Sequence, residues 1–193
     1  MGPVANLAAE LVIHLARLAQ SAGDHRLTAA QWTALRFFAR ANRLSRTPSA
    51  FSAFHATTRG TASQTVKSLV ALGLLERHRN EEDGRSIRFE LTAAGRAMLD
   101  HDPLRALAAH IDRLPADEGR RLLGALQTLV GGLALGQAAP VFGTCADCAH
   151  CDAAPQADAP FCRCAEATLM AGEMDALCIE FQPRPTPGAD RVN

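Results

Sequence analysis

The chain has 193 residues, of which 48% are hydrophobic and 21% are charged, and its formal net charge at pH 7 is zero. This length predicts one domain, or one domain with an appendage, and the apolar fraction is sufficient for a buried core. No stretch of about 18 apolar residues is present, which excludes a transmembrane helix. The chain does not begin with a basic segment and an apolar run, so we expect no secretory signal and a cytoplasmic location.

The charges are unevenly distributed along the chain. Residues 36–96 contain eleven Lys and Arg against five Asp and Glu, a surplus of six positive charges. Residues 141–193 contain three Arg against eight Asp and Glu, a surplus of five negative charges. A basic middle and an acidic end therefore cancel in the total, and the basic segment is suited to a polyanionic partner.

Three helices are predicted in the first third of the chain. Residues 4–22 carry a broad apolar face, wider than the core of one small domain needs. A helix over 28–41 begins at a capping box, in which a threonine is followed three residues later by a glutamine. A helix over 49–56 begins at Thr47 and Pro48, because a hydroxyl at the N-cap and a proline at the first helical position are typical of a helix start.

A turn at Thr57–Gly60 and a fourth helix follow. Thr61 and Gln64 have capping-box spacing, apolar residues then recur at helical spacing, and Gly73 suits the C-terminal cap. The other face of this helix carries short polar side chains and one cation, which suit a helix that lies in a DNA groove. They are Ser63, Gln64, Thr65, Lys67 and Ser68.

Two strands are predicted at 74–79 and 86–91. In the second strand apolar and charged residues alternate with period two, which indicates a half-buried strand. Asp83 and Gly84 form a hairpin turn signal between the strands. The ribbon carries Arg77, Arg79, Arg85 and Arg88.

Helical spacing of apolar residues resumes over 92–102 and continues to Ile111 after an interruption at Pro103. A last long helix begins at Pro115, with two acidic residues in its first turn, where they complement the helix dipole. Gly131 and Gly132, followed by further glycines, predict a loosening of the chain and a domain boundary near residue 140.

Four motifs in this order resemble the winged helix-turn-helix of MarR-type transcriptional regulators, over roughly residues 5–137. The motifs are LTAAQW (27–32), TVKSLVALGLLER (65–77), DGRS (83–86) and LTAAGR (91–96). The resemblance implies a mainly α fold with a small β-hairpin wing, in which a winged helix-turn-helix is joined to a helical dimerisation region. This chain departs from that pattern by a cysteine-rich tail.

The resemblance implies a sequence-specific DNA-binding transcriptional regulator, a repressor rather than an enzyme, that acts as a homodimer on a double-stranded operator. The first helix and the C-terminal helices would form the dimer and hold two recognition helices about 34–36 Å apart. Family members often bind aromatic acids or similar small-molecule effectors between the dimer arm and the DNA-binding lobe. No set of residues in this sequence selects a particular effector.

The resemblance also assigns roles to single residues. Ser63, Gln64 and Thr65 would contact base edges. In the family the wing arginine enters the minor groove and a nearby aspartate orients it, and these roles fall on Arg85 and Asp83. Gly84 stands where the family often has a second arginine. Phosphate contacts are expected from Arg59, Lys67, Arg77 and Arg79.

All six cysteines lie after residue 140, in the pattern C-x2-C-x2-C-x10-C-x-C-x13-C that begins at Cys145. Three interpretations are open. Two close pairs of thiolates suit a zinc knuckle. The C-x2-C-x2-C loop with a remote fourth cysteine suits an iron–sulfur cluster, although the C-x3-C-P continuation is absent. Disulfides or redox-reactive thiols are the third, and a cytoplasmic location argues against disulfides.

We predict zinc, with an iron–sulfur cluster as the alternative, and the ligands Cys145, Cys148, Cys164 and Cys178. A short helix over Leu169–Leu177 would seat the last ligand. The tail has few apolar residues, so we expect the metal to supply its folding energy. The site is either a structural clip or a sensor of metal or redox state.

The predicted organisation has three parts. Residues 1–140 form the DNA-binding and dimerisation domain, 141–182 form the metal-binding appendage, and 183–193 have the composition of a disordered end. A redox or electron-transfer protein, in which the tail holds a working cluster and the winged helix docks a protein, is the alternative function. No Gly-rich phosphate loop and no Ser/His/Asp set with catalytic spacing is present in the sequence.

Overall fold

The computed structural model describes residues 2–21, 26–79, 87–137, 139–153, 159–170 and 172–184. The α-helices in these ranges, α1 to α7, span Pro3–Ser21, Ala29–Arg40, Pro48–Phe54, Arg59–Ala71, Ala93–Met98, Leu104–Ile111 and Ala116–Gly136. The strands, β1 to β7, span Leu75–Arg79, Ile87–Leu91, Gly143–Thr144, Cys151–Asp152, Phe161–Cys162, Ala167–Thr168 and Leu177–Cys178. Single turns of 3-10 helix lie at Leu99–His101 and Cys145–Asp147.

The main core lies between α2, α3, α4 and the β1–β2 hairpin. The α2 residues Phe37 and Phe38 are fully buried and meet edge to face, with ring centroids 5.3 Å apart. Phe51 of α3 packs against both rings. Strands β1 and β2 are antiparallel, with Leu75 opposite Leu91, and both leucines are buried. This is the mainly α fold with a two-stranded wing that the sequence predicts.

Three predicted helix starts are confirmed by their hydrogen bonds. The Thr28 hydroxyl accepts from the Gln31 backbone N–H while the Gln31 side chain accepts from the Thr28 N–H, which completes the capping box of α2. The Thr47 hydroxyl caps α3, and Pro48 is its first residue. The Thr92 hydroxyl accepts from Gly95 N–H and caps α5. Each hydroxyl satisfies a backbone donor that the helix leaves without an internal partner.

Two sequence-based boundaries are wrong. α7 runs through Gly131 and Gly132 to Gly136 instead of loosening there. Each glycine costs a helix about 1 kcal/mol relative to alanine, and the leucine-rich sequence around the pair offsets this cost. The described part of Leu169–Leu177 forms turns and no helix, and Gly172 adopts a positive φ of 83°, which a helix does not allow.

The two long helices have almost no buried surface within one chain. α1 buries Ala19, and no described residue of α7 is buried. Large apolar side chains on both helices are instead exposed: Val4, Leu7, Leu11, Val12, Ile13, Leu15, Leu18, Leu122, Leu123, Leu126, Leu129, Val130, Leu133 and Leu135. Within the described ranges, no helix is both long and apolar enough to cross a membrane.

The described residues of 141–184, here called the cysteine module, pack against α2, α3 and the loop between them. Phe142 meets Phe37 and Phe54 edge to face, with ring centroids 6.3 and 5.0 Å away. The loop 41–47 between α2 and α3 pairs with β7, where Asn42 N–H donates to the Leu177 carbonyl oxygen at 2.9 Å. The predicted disordered end, 183–193, lies largely outside the described residues.

Candidate nucleic-acid interface and cysteine module

α4 has one face in the core and one face in solvent. Ala62, Val66 and Leu69 are buried, while Gln64 and Lys67 are exposed. Three further polar residues, Ser63, Thr65 and Ser68, are half-buried at the edges of the polar face. The structure therefore brings the predicted base-contacting residues together on one side of one helix.

The start of α4 differs from the prediction. The helix begins at Arg59, and its N-cap is Thr58, whose hydroxyl accepts from Thr61 N–H at 3.1 Å. The predicted N-cap, Thr61, instead lies in the first turn, and Gly60 is helical and not part of the preceding loop. Arg59 is thus the first helical residue, at the end of the helix dipole that attracts anions.

The end of α4 leads directly into the wing. Gly73 has a φ of 69°, and its N–H donates to the Val70 carbonyl oxygen, while Leu74 N–H donates to the Leu69 carbonyl oxygen, both at 2.9 Å. These two bonds form a Schellman cap, which requires the left-handed conformation that glycine adopts without strain. The cap fixes the direction in which β1 leaves the recognition helix.

Four predicted phosphate-contacting cations line this surface. Arg59, Lys67, Arg77 and Arg79 are exposed. Within the described part of the chain, none of their side chains forms an ion pair with a carboxylate. Exposed cations of this kind attract phosphate groups. The predicted wing-tip residues Asp83, Gly84 and Arg85 lie outside the described residues.

A hydrogen bond between two helices fixes α4 against α2. The Gln31 amide donates to the Ser68 hydroxyl oxygen at 2.7 Å, and that hydroxyl donates to the Thr65 carbonyl oxygen at 3.2 Å. Ser68 is therefore engaged within the protein. Ser68 was predicted to lie on the polar face of α4, and in the structure its hydroxyl joins α4 to α2.

Five of the six cysteines are buried in one cluster with Leu169, against which Met174 and Phe181 pack. The buried five are Cys145, Cys148, Cys151, Cys162 and Cys178, and Cys164 is exposed. Of the four predicted ligands, three therefore lie in the cluster and the fourth lies at the surface of the module. Half-buried His150 lies in the same segment.

Nitrogen and oxygen donors reach three of the predicted ligand sulfurs. The Asn42 amide is 3.8 Å from Cys145 Sγ, and the Gln182 backbone N–H is 3.5 Å from Cys148 Sγ. The Asn42 side chain, the Glu180 backbone and the Ser45 side chain oppose the rise that burial causes in the pKa of Cys178. Donors of this kind stabilise sulfur when it carries negative charge.

The other two buried cysteines face each other across a hairpin. Cys151 of β4 is directly opposite Cys162 of β5. The neighbouring pair is His150 and Arg163, and Arg163 N–H donates to the His150 carbonyl oxygen at 2.9 Å. That neighbouring pair is therefore the hydrogen-bonded one. Cys151 and Cys162 therefore occupy a non-hydrogen-bonded position, where Cα atoms are about 4.5 Å apart and side chains are closest.

Burial favours the neutral thiol form of Cys145. It raises the pKa of Cys145 to about 11, against the opposing hydrogen bond from Asn42. Burial likewise raises the pKa of Cys151, Cys164 and Cys178. As the side chains stand, no group of three or more His, Cys, Asp or Glu among the described residues is arranged to hold a metal ion. A tetrahedral thiolate site therefore requires the sulfurs to turn towards a common point.

Three residues of this region carry no signal in the sequence. Asn42 and Ser45 are buried polar residues of the α2–α3 loop, and Glu173 is a buried carboxylate of the cysteine module. Glu173 pairs with the Arg43 guanidinium and accepts from Arg43 N–H at 3.1 Å. Local periodicity does not reveal them because their partners lie more than 100 residues away along the chain.

Comparison with known proteins supports the assignment of the fold. The sequence model of the MarR family matches residues 16–86, from the end of α1 to the wing. No protein of curated function matches the sequence.

Three solved structures illustrate what this chain is similar to. A cysteine-to-serine mutant of MarR from E. coli, complexed with operator DNA, has 23% identity and a TM-score of 0.51, and the match covers 66% of this chain and 94% of that one. A probable transcriptional regulator from Pseudomonas aeruginosa has 24% identity and a TM-score of 0.52, over 66% of this chain and 97% of that one. CouR from Rhodococcus jostii RHA1, bound to p-coumaroyl-CoA, has 18% identity and a TM-score of 0.55, over 66% of this chain and 91% of that one.

The helix pair α3–α4 followed by the β1–β2 ribbon defines this chain as a winged helix-turn-helix protein. Its fold is the MarR type of that class, and residues 16–86 carry the segment that the MarR family model describes. Each of these three structural matches leaves about a third of this chain without a counterpart.

Proposed function

We propose that this chain is a sequence-specific, DNA-binding transcriptional regulator that acts as a homodimeric repressor, and not as an enzyme. The observation that carries the proposal is the solvent face of α4, where Gln64 and Lys67 are exposed beside cations without protein carboxylate partners among the described residues. A helix with this composition fits the major groove, and a two-stranded wing beside it fits the flanking backbone. The operator-bound relative of the same fold supports the proposal.

The polar residues of α4 divide into two roles. The Gln64 amide has a donor and an acceptor, which match the N6 and N7 edge of adenine. The Thr65 hydroxyl donates to the Thr61 carbonyl oxygen at 3.1 Å, so it presents acceptor lone pairs to a base. Lys67 carries a point charge and contacts phosphate. Arg85 reads the minor groove and Asp83 orients it, as the family resemblance implies.

Two substitutions test the roles on α4. Gln64→Ala is expected to reduce discrimination at one base position by about 1–3 kcal/mol. Lys67→Ala is expected to weaken binding to all sequences and to reduce the salt slope by about 1. Fluorescence anisotropy on an operator and on scrambled DNA measures both effects. Arg105→Ala removes an exposed cation of α6 and serves as the control, and an equal loss in that variant would overturn the proposed surface.

Dimerisation is supported by the exposed apolar side chains of α1 and α7. These two helices expose fourteen large apolar side chains, and large exposed apolar patches mark interaction sites. Pairing of these helices with a second copy would cover these side chains and would hold two α4 helices at the separation that a pseudo-palindromic operator requires.

For the cysteine module we propose a thiolate-bound metal, zinc with an iron–sulfur cluster as the alternative, in a structural or sensory role. The proposed ligands are Cys145, Cys148, Cys164 and Cys178. The support is chemical: clustered cysteines suit both kinds of centre, and the sulfurs of Cys145 and Cys148 accept hydrogen bonds. A metal displaces the thiol protons when it binds.

Elemental analysis of protein purified without oxygen tests the metal proposal. About one zinc per chain and no visible absorption identifies a zinc site. Iron with sulfide and a brown colour identifies a cluster, and a cluster without specific DNA binding would favour the redox-protein alternative. Cys178→Ser is expected to lose the metal, whereas Cys151→Ser is expected to retain it. Protein that binds neither metal would refute the proposal.

A small-molecule effector is also proposed. A cavity of about 630 Å³ lies between α3, α4 and the wing, with Val66, Val70 and Phe89 in its wall and Lys67 and Arg77 also lining it. Its lining suits an apolar molecule that carries an anionic group. Such a ligand is expected to raise the melting temperature and to release operator DNA, and titration with aromatic carboxylates, with uncharged isosteres as controls, measures both effects.

A further inference from the structure

The loop 41–47 is bonded on one side to the cysteine module. Ile179 N–H donates to the Ser45 hydroxyl oxygen at 2.9 Å, and the Arg43 guanidinium donates to the Thr168 carbonyl oxygen at 2.9 Å. Asn42 also pairs with Leu177, and Arg43 forms an ion pair with Glu173. These contacted residues of the module therefore lie between positions 168 and 179. The loop is therefore held by the module at several points.

The same loop is bonded on its other side to the DNA-binding elements. Phe89 N–H donates to the Arg46 carbonyl oxygen at 2.9 Å, which ties the loop to the wing strand β2. The Arg46 guanidinium donates to the Ala41 carbonyl oxygen at 3.0 Å and lies 3.5 Å from the Glu90 carboxylate. Thr47, the last residue of the loop, caps α3. A displacement of this loop would therefore move both α3 and the wing.

Asn42 joins the two sides. Its side chain is only 1% exposed. The amide oxygen accepts from Ser45 N–H at 2.9 Å, and the amide nitrogen points to Cys145 Sγ at 3.8 Å. The Asn42 side chain also opposes the burial-induced rise in the pKa of Cys178, as it does for Cys145, so it favours the charged form of two sulfurs that lie 33 residues apart in the chain.

This placement is informative because of the chemistry of sulfur. A buried amide N–H without a good acceptor costs free energy, and a neutral thiol is only a weak acceptor. A metal-bound thiolate is a strong acceptor because it carries negative charge. The position of Asn42 therefore suits sulfurs in the thiolate state, and groups that hydrogen-bond to ligand atoms orient and tune metal sites.

We propose that Asn42 is a positioning residue of the thiolate site and that, through it, metal occupancy of the cysteine module sets the operator affinity of the helix-turn-helix. The inference rests on the metal centre proposed above. The metal-loaded form is the one that binds DNA, because in it Asn42 fixes the loop that precedes α3. Since coupling between two sites is reciprocal, operator DNA raises the affinity for metal by the same factor that metal raises the affinity for DNA.

The first test uses the unmodified full-length chain. Operator affinity is measured by anisotropy for zinc-loaded and metal-free protein, and zinc affinity is measured with and without operator. We expect metal removal to weaken operator binding about tenfold or more and DNA to tighten zinc binding by the same factor. Protein that binds zinc but has the same operator affinity in both states would refute the coupling and leave the metal site intact. Protein that binds no metal would refute both.

The second test assigns the coupling to Asn42. Asn42→Asp keeps the shape and the acceptor for Ser45 N–H, and it replaces the donor with an oxygen that repels thiolate. We expect weaker Co²⁺ binding, a shifted thiolate-to-metal charge-transfer band, and an operator affinity that responds less than about twofold to metal. Glu173→Gln is the matched control, because it alters contact with the same loop but not with a sulfur.

Circular dichroism and the molar mass of each variant establish that it is folded. A normal Co²⁺ spectrum and undiminished coupling in folded Asn42→Asp would overturn the role of Asn42. An equal spectral shift in Glu173→Gln would also overturn it, because loosened packing would then account for both variants. If Asn42→Asp does not fold, the reciprocity measured on the unmodified chain still decides whether the two sites are coupled.

Discussion

A single hydroxyl determines where the recognition helix starts. The sequence favours Thr61, because a glutamine three residues later gives capping-box spacing, but the structure uses Thr58 as the N-cap. We predict that Thr58→Ala lowers the free energy of unfolding by about 1 kcal/mol, because the Thr61 N–H loses its acceptor. Thr61→Ala is expected to cost less than half as much in the same denaturant titration. Equal losses of unfolding free energy in the two variants would contradict the assignment of Thr58 as the only cap.

The opposed position of Cys151 and Cys162 leads to a second prediction at this scale. Their expected Cα separation lies within the range that a disulfide requires. In metal-free protein treated with mild hydrogen peroxide, we expect this pair to cross-link before any other, as two thiols and one peroxide yield a disulfide and two waters. Peptide mass mapping after alkylation identifies the bond. A predominant bond between two of the proposed ligands would contradict this arrangement.

The exposed polar residues of α4 were predictable one by one, whereas the residues that hold the cysteine module were not. Gln64 and Lys67 follow from the 3.6-residue period, because the buried Val66 and Leu69 fix which face is exposed. Asn42 and Glu173 look like ordinary loop residues in the sequence. Their roles come from contacts over 103 and 130 residues of chain, which no local pattern encodes.

Among the helices, α1 and α7 expose the most apolar side chains and are therefore the best candidates for contact with a second copy of the chain. Leu129 of α7 is 58% exposed in the single chain. We predict that Leu129→Glu converts the dimer to a monomer, because a carboxylate in an apolar interface is desolvated without a partner. Light scattering measures the molar mass. Met170→Glu places the same charge on an exposed apolar residue of the cysteine module and should leave the dimer unchanged.

A monomeric Met170 variant, or a dimeric Leu129 variant, would contradict the prediction that α7 forms the dimer interface. Operator binding provides a second readout. A monomer places one α4 helix on DNA in place of two, so its affinity should fall even though the recognition surface is intact.

The starts of α2 and α3, which side-chain caps set, were predicted correctly, whereas the start of α4 and the continuation of α7 were not. The caps at Thr28 and Thr47 are local hydrogen bonds, and both were found at the predicted residues. Gly131 and Gly132 have low helix propensity, yet they lie inside α7 because the sequence around them is leucine-rich. The wing strands were predictable from their alternation and the turn between them.

At the scale of the whole molecule, the contacts of the cysteine module predict that this module and the winged helix-turn-helix unfold together. Trp32 is the only tryptophan and lies buried in α2, so its fluorescence reports the unfolding of the DNA-binding part alone. With zinc at 100 times its Kd, we expect the stability to rise by about 2.7 kcal/mol and the tryptophan-monitored midpoint to rise by roughly 5–10 °C.

A Cys145→Ser variant, which lacks one proposed ligand, serves as the control for this measurement and should show no shift. A midpoint that zinc leaves unchanged in the unmodified protein, despite full metal binding, would mean that the two parts unfold independently. The coupling of metal to DNA would then lack a structural basis.

The packing of Phe142 against Phe54 also bears on how the chain folds during its synthesis. α2, α3 and α4 leave the ribosome long before Phe142 does, so the aromatic core first exists without one of its rings. At about 5–20 residues per second, the chain between the two phenylalanines takes roughly 4–18 s to make. During that interval the exposed faces of Phe37 and Phe54 are accessible to chaperones, and the loop 41–47 lacks its hydrogen bonds to the cysteine module. The nascent protein therefore completes its core, and receives any metal, only after the cysteine module has been synthesised.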